Sequence, residues 1–170
     1  MKNTTSLIVL ELLLSLTVVA QEVPKPEDRI QMGMTPDEVQ RLVGSPLEQV
    51  WSYRRPVDGP TTEWIQVNFL DDRVTSFHMS HEDTSGQITI RDFSEDGIYY
   101  GLDYKADSAG PLVRHLYQLP ASEMPVLYGD PPAKVLQLYG PPRRRRVCYP
   151  AALLTALFEN GKLVRWTIER

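Results

Sequence analysis

The chain has 170 residues, which is enough for one domain or two small ones. Its apolar fraction of 42% and charged fraction of 24% are those of a soluble globular protein and exclude wholesale disorder. The formal net charge of −4 argues against general nucleic-acid binding. Cys148 is the only cysteine, so no disulfide can form within the chain and stability must come from packing.

The N-terminal segment has the composition of an export signal. Lys2 precedes an apolar run from Leu7 to Ala20 that ends in small residues. The run is shorter than a membrane-spanning helix requires, and it contains Glu11. We therefore expect residues 1–20 to be a signal peptide that is cleaved near Ala20, which would make the mature protein periplasmic or secreted. The alternative is an uncleaved segment that tethers the chain to the envelope.

A pattern of glycine, proline and apolar residues occurs twice, 96 residues apart. The first copy is Gly33, Pro36, Val39, Leu42, Gly44 and Pro46, and the second is Gly129, Pro132, Val135, Leu138, Gly140 and Pro142. Each copy predicts a two-turn helix that begins at a proline and stops at a glycine. In the first copy Thr35 is placed to cap the helix. Such a short helix must pack on another element to be stable.

Strand patterns follow each predicted helix. They cover residues 50–54, 64–70 and 74–79 in the first copy, and residues 144–149, 153–158 and 163–169 in the second, with a turn at Asn160-Gly161. Between the copies the sequence predicts a hairpin of residues 87–93 and 98–104, and a helix over residues 111–117.

The predicted fold class is therefore α+β, with two repeats that each pack short helices on their own antiparallel sheet. The repeats are assigned to residues 21–80 and 121–170. Residues 81–120 are assigned to a link that consists of the hairpin and the helix.

The first copy resembles a known family. The segment from Ile30 to Val39, together with Leu42, the Gly44-Ser45-Pro46 stop and the Trp51-Ser52-Tyr53 strand, resembles the SmpA/OmlA (BamE-like) family of outer-membrane assembly lipoproteins. This resemblance implies helices packed on an antiparallel sheet and a scaffolding role without catalysis. The tandem form is also similar to the secreted β-lactamase inhibitor protein fold, whose concave sheet holds an enzyme. The chain departs from the lipoproteins because no cysteine lies near the cleavage position.

Aromatic and basic residues are the candidates for a contact surface. Trp51 and Tyr53 share one face of a predicted strand, and interfaces are enriched in aromatic residues and arginine. In the run of four arginines from residue 143 to residue 146, strand alternation turns two toward the helix layer, where they need carboxylate partners. We assign the two free arginines, Arg144 and Arg146, to an anionic partner. The alternative is a solvated strand whose charges discourage aggregation.

Residues with catalytic or metal-binding chemistry are few. His78 and His81 stand beside Glu82 and Asp83, but on a strand the two imidazoles point to opposite faces, which disfavours a zinc site. Cys148 follows arginines that can lower a thiol pKa, yet no motif supplies the rest of a catalytic site. We expect no catalytic residue, no metal and no cofactor.

These observations favour a non-catalytic exported module that binds another envelope or secreted protein. Anionic lipid head groups are a second class of partner, and neither nucleic acid nor a small-molecule substrate is expected. The alternatives are a secreted enzyme inhibitor with the β-lactamase-inhibitor-like fold, a tethered structural envelope protein, and a small extracytoplasmic enzyme that uses His78, His81 or Cys148. An enzyme requires a pocket that gathers the histidines or Cys148, whereas a binding module requires an exposed aromatic patch.

Overall fold

The computed structural model describes residues 25–57, 61–93, 98–105 and 113–169. The expected signal peptide, residues 1–20, lies outside them. The described residues form two α-helices, α1 (Pro36–Val43) and α2 (Pro132–Tyr139), and three 3-10 helices, Pro26–Arg29, Ala121–Glu123 and Pro150–Ala152. The strands are β1 (Glu48–Pro56), β2 (Thr62–Leu70), β3 (Arg73–Glu82), β4 (Gln87–Phe93), β5 (Tyr99–Lys105), β6 (Val113–Gln118), β7 (Arg144–Tyr149), β8 (Leu154–Glu159) and β9 (Lys162–Ile168).

All nine strands belong to one antiparallel sheet, in the order β6-β5-β4-β3-β2-β1-β7-β8-β9. The predicted fold class, two separate repeats of helices on a sheet, is therefore wrong. β1 and β7 join the two predicted units over five residue pairs, from Glu48 opposite Cys148 to Ser52 opposite Arg144. This pairing satisfies backbone groups that two separate sheets would leave exposed at their edges.

The predicted boundary at residue 80 falls inside β3. This strand continues to Glu82 and pairs with β4 over its last six residues. β4 and β5 form the predicted hairpin, and β4, β5 and β6 extend the same sheet. The predicted turn at Asn160-Gly161 is confirmed, with φ angles of 49° and 74°.

Both repeat helices begin and end at the predicted residues. At the start of α1 the Thr35 hydroxyl accepts a hydrogen bond from the Glu38 amide at 3.3 Å. The Glu38 carboxylate in turn accepts one from the Thr35 amide at 2.7 Å. These reciprocal bonds form a capping box and lower the pKa of Glu38. At the C-terminal ends Gly44 and Gly140 have φ angles of 93° and 73°, which glycine adopts without strain.

Each helix packs on the strands of the other copy. Val39 and Val43 of α1 lie in a core cluster with residues of β7, β8 and β9, including Phe158. Val135 of α2 lies in a cluster with residues of β1, β2 and β3, including Phe77. The expectation that each helix lies across its own strands is therefore wrong. The two-turn helices do obtain the packing that they need, but from the opposite half of the chain.

Backbone hydrogen bonds repeat this exchange at equivalent positions. The Gly33 amide donates to the Leu163 carbonyl at 2.8 Å, and the Gly129 amide donates to the Val74 carbonyl at 2.8 Å. The segment before each helix is thereby fixed beside the last strand of the other copy. Val50 pairs with Arg146, its own equivalent 96 residues later, so the two copies are related by an approximate two-fold axis through this pair.

The helix predicted over residues 111–117 is not found in its described part. Residues 111 and 112 lie outside the described residues, and Val113–Gln118 forms β6, which pairs with β5. The Tyr117 ring lies over Gly101, where an added β-carbon would come within 2.4 Å of it. Its hydroxyl donates to Asp103 at 3.0 Å. These contacts with β5 stabilise residues 113–118 as a strand, although the spacing of apolar residues predicted a helix.

No helix among the described residues is long and apolar enough to cross a membrane. The layer that covers one face of the sheet is formed by α1, α2 and the segment before α2. That segment contributes Leu119, Met124 and Val126 to the same core cluster as α2.

The exchanged packing predicts that neither half folds alone. Two fragments, residues 25–105 and residues 113–169, separate each helix from the strands that it covers. We expect each fragment to give a poorly dispersed NMR spectrum, and an equimolar mixture to restore the spectrum of the intact chain. The control is intact protein cut at an introduced protease site after folding, which should stay associated. A well-dispersed spectrum from either fragment alone would contradict the exchange.

Candidate interaction surface

One face of the sheet is covered and the other is uncovered. In β2, Ile65, Val67 and Phe69 are buried with α2, whereas Trp64 and Gln66 point to the opposite side and are exposed. None of the described elements packs on this second side, which we call the open face. A surface left free by the fold is where a partner can bind without unfolding the chain.

Trp64 is the most prominent aromatic residue of the open face. It is 52% exposed although it lies on a central strand. Arg54 is directly opposite on β1, and its guanidinium carbon lies 4.8 Å from the centre of the Trp64 ring. A cation–π contact at this exposure contributes about 0.5–1 kcal/mol. The pair therefore presents a flat, preordered surface that combines apolar area with positive charge.

Two hollows adjoin Trp64. The first has a volume of about 570 Å³ and includes Ser80 and Ile90 in its lining. The second has a volume of about 510 Å³ and includes Arg54 and Arg144. Trp64 itself lines both hollows. A partner that covers the tryptophan therefore has room to place side chains on either side of it.

Three arginines of the run, residues 144–146, lie on β7 and alternate faces, whereas Arg143 precedes the strand and is exposed. Arg144 and Arg146 lie on the open face, opposite Ser52 and Val50. Arg144 forms an ion pair with Glu159, with Nη2 and Oε1 2.6 Å apart. Arg146 is exposed and forms no ion pair within the described residues.

Arginines outnumber glutamates on the open face of β1, β7, β8 and β9. The register places four arginines and two glutamates there: Arg54, Arg144, Arg146, Arg165, Glu48 and Glu159. This excess of positive charge contrasts with the net charge of −4 for the whole chain. This part of the open face is therefore suited to an acidic partner, whereas Glu82 and Asp92 lie on the open face of β3 and β4.

Arg145 points toward the helix layer. Its Nε donates to Gln49 Oε1 at 2.9 Å, and the same oxygen accepts a hydrogen bond from Trp51 Nε1 at 3.0 Å. The guanidinium lies 5.3 Å from the centre of the Trp51 ring. Burial lowers the pKa of Arg145, an effect that nearby tyrosine and aspartate side chains oppose. An amide thus takes the place of the carboxylate partner that was predicted for an inward arginine.

Trp51 and Tyr53 share a face, but it is the covered one. They are 3% and 4% exposed, and both belong to the core cluster under α2. The Tyr53 ring packs against Tyr139 of α2, with ring centres 5.5 Å apart. The expectation that this aromatic pair forms the contact surface is corrected by its burial.

The histidines and the thiol do not form one site. His78 is on the open face, 3.3 Å from Asp92, and His81 points to the other side of β3. Cys148 lies on β7 and His115 on β6, which is separated from β7 by six strand spacings, about 29 Å. No three metal-binding side chains gather within the described parts of the chain.

The environment of Cys148 does not activate it. Burial raises the pKa of the thiol, and the carboxylates of Glu48 and Glu169 raise it further. Arg146 acts in the opposite direction with a smaller effect. The effect expected from the neighbouring arginines is thus outweighed, because burial and acidic neighbours disfavour the thiolate.

A signal for Trp64 was present in the sequence. Trp64 alternates with Ile65 and shares its strand face with Gln66 and Asn68. Two polar neighbours at spacing two indicate that a tryptophan faces solvent. The Trp51 strand gives no such signal, because Trp51 and Tyr53 share their face with Gln49 and Arg55, and the opposite face is also mostly polar.

The two tryptophans should respond differently to truncation. We expect Trp51→Ala to lower the free energy of unfolding by about 3–5 kcal/mol, because it leaves a cavity in the core. Trp64→Ala removes an exposed ring and its cation–π contact, so its cost should be about 1 kcal/mol. Urea denaturation of both variants measures the difference. Equal losses would show that Trp64 belongs to the core.

The raised pKa of Cys148 predicts slow alkylation. At pH 7 the folded protein should react with iodoacetamide more slowly than the same protein unfolded in urea, because less thiolate is present. The rate should rise as the pH is raised above 9. Mass spectrometry of timed samples gives both rates. Faster reaction of the folded form at pH 7 would support the enzyme alternative.

Comparison with known proteins assigns no family to this surface. No family model, no curated protein and no solved structure matches the chain. The likeness of the segment from Ile30 to Val39 to the SmpA/OmlA family remains a resemblance.

Proposed function

We propose that the chain is a non-catalytic exported module that binds another envelope or secreted protein through its open face. The observation that carries the proposal is Trp64, a half-exposed tryptophan beneath Arg54 at the centre of the sheet. Tryptophan and arginine are the residues most enriched among those that dominate binding energy in interfaces. An exposed tryptophan between two hollows supports a protein contact more directly than it supports a structural role.

Charge supports an acidic partner. The arginines of the open face near β1 and β7 are only partly neutralised, since Glu159 pairs with Arg144 while Arg146 has no carboxylate partner within the described residues. Attraction between this surface and an acidic protein would accelerate association and orient the partner. Anionic lipid head groups offer the same charge, but a bilayer has no fixed side chains to fill the two hollows beside Trp64.

An enzyme is supported less well. Cys148 has a raised pKa and lies on β7, three strand spacings, about 14 Å, from β3, which carries His78 and His81. Nucleophilic catalysis needs a nucleophile and a base within hydrogen-bonding distance. The residues on which the enzyme alternative depends therefore lack the arrangement that it requires.

Site-specific photo-crosslinking tests the proposal. A benzoylphenylalanine placed at Gln66, beside Trp64 on the open face, should crosslink to a protein in intact cells. The same group at Gln137, exposed on α2, is the positional control and should not. Trp64→Ala should abolish the adduct, whereas Tyr128→Ala, which removes another half-exposed aromatic, should leave it.

The outcome that contradicts the proposal is equally specific. Adducts that form equally from both positions, or that persist in the Trp64→Ala variant, would remove the open face as the contact surface. Crosslinks to lipid alone would replace a protein partner by a membrane.

A further inference from the structure

β1 is longer than β7, one of the two strands beside it. Its nine residues pair with β2 along their whole length, from Glu48 to Pro56. On the other side β7 pairs with β1 only as far as Ser52. The last four residues of β1 therefore border a notch inside the sheet.

The hydrogen-bond pattern identifies the backbone groups that face the notch. The Asp71 amide donates to the Leu47 carbonyl, and the Val57 amide donates to the Thr61 carbonyl. These two bonds show that odd-numbered residues of β1 bond to β2. In an antiparallel pair the orientation alternates, so even-numbered residues point away from β2. Arg54 is the next even residue after Ser52, and its amide and carbonyl therefore face the notch.

Prolines keep the notch open. In the β1–β7 register the residue opposite Arg54 would be Pro142, which has no amide hydrogen to donate. Because the pairing of β7 with β1 ends at Ser52, the register gives the Arg54 amide and carbonyl no strand partner on this side. An unpaired strand edge of this kind is the feature to which an extended peptide adds in β-strand addition.

Positive charge surrounds the notch. The hollow of about 510 Å³ on the open face and one of about 480 Å³ on the helix side share Arg54, Arg143 and Asn160 in their linings. Neither Arg54 nor Arg143 forms an ion pair within the described residues, whereas Arg144 is paired with Glu159. A ligand in the notch therefore meets two unneutralised guanidinium groups.

We propose that the notch binds an extended acidic segment of the partner protein, which pairs its backbone with the amide and carbonyl of Arg54. Its carboxylates lie against Arg54 and Arg143. The backbone bonds fix the segment's direction, and the arginines select acidic side chains. This inference rests on the proposed function and names the chemistry of the partner at the same site.

The test uses a defined probe and the full mature chain. The probe is an acetylated and amidated pentapeptide, Asp-Thr-Asp-Val-Asp, and its control replaces each aspartate by lysine. We expect the acidic peptide to shift the amide NMR signal of Arg54 and to slow its hydrogen exchange, because that amide gains an acceptor. The basic peptide should do neither, and Arg143→Glu should abolish binding of the acidic one.

Two variants at Arg54 distinguish the contribution of its backbone amide to peptide binding from that of its side chain. Arg54→Ala keeps the amide, while Arg54→Pro removes it at a position whose amide makes no bond to β2, the kind of edge position that tolerates proline. We expect Arg54→Pro to bind the acidic peptide about fivefold more weakly than Arg54→Ala, which corresponds to one lost hydrogen bond. If Arg54→Pro does not fold, the peptide N-methylated on its central residues tests the other backbone bond, because it loses the amide that donates to the Arg54 carbonyl.

Several results would contradict peptide binding in the notch. These are an unchanged Arg54 signal at millimolar acidic peptide, equal binding of both peptides, or no effect of N-methylation. Slower exchange of Arg54 with phosphatidylglycerol vesicles but not with peptide would assign the notch to a membrane. A Trp64-dependent crosslink together with an unchanged Arg54 amide signal would reject peptide binding in the notch and retain the proposed function. Peptide binding at Arg54 without such a crosslink would support the notch as a binding site and reject the open face as the contact surface.

Discussion

The pairing of β1 with β7 is the constraint on which the rest of the structure depends. Five residue pairs bring the two copies together, and their antiparallel direction places each helix over the strands of the other copy. Neither α1 nor α2 is long enough to be stable alone. Each core cluster is therefore completed only when the opposite half is present, so the chain folds as one unit even though its sequence contains two.

The two-fold relation also explains why the copies differ at their junction. Arg145 is the equivalent of Gln49, and the axis brings these two positions into contact. Identical copies would place glutamine against glutamine or arginine against arginine, and two buried guanidinium groups would repel each other. The difference creates a donor and an acceptor, and Gln49 extends the bond to Asp72 at 3.0 Å. A polar connection between two apolar clusters favours this register of β1 on β7 over a shifted one.

Local signals predicted the elements well but not their assembly. Proline and glycine fixed both ends of α1 and α2, because these residues act on their own turn of backbone. The pairing of β1 with β7 joins residues 92 to 100 positions apart and leaves no local signal. The sides of Trp51 and Tyr53 were misjudged for the same reason: alternation shows that they share a face but not which face the helices cover. Tyr117 was assigned to a helix because its partner Gly101 lies on another strand.

The notch beside Arg54 arises from the same glycine and proline residues that end α2. Gly140 terminates α2, and the two prolines that follow it carry the chain to β7 without an amide that can pair with Arg54. On the equivalent side of the axis, Pro150 occupies the position that corresponds to Arg54, so no amide is offered there. The same divergence that lets two copies share one sheet thus leaves Arg54 without a strand partner on the β7 side, beside Trp64. A surface with one such position can hold a partner segment in one direction, which a symmetric pair of copies would not specify.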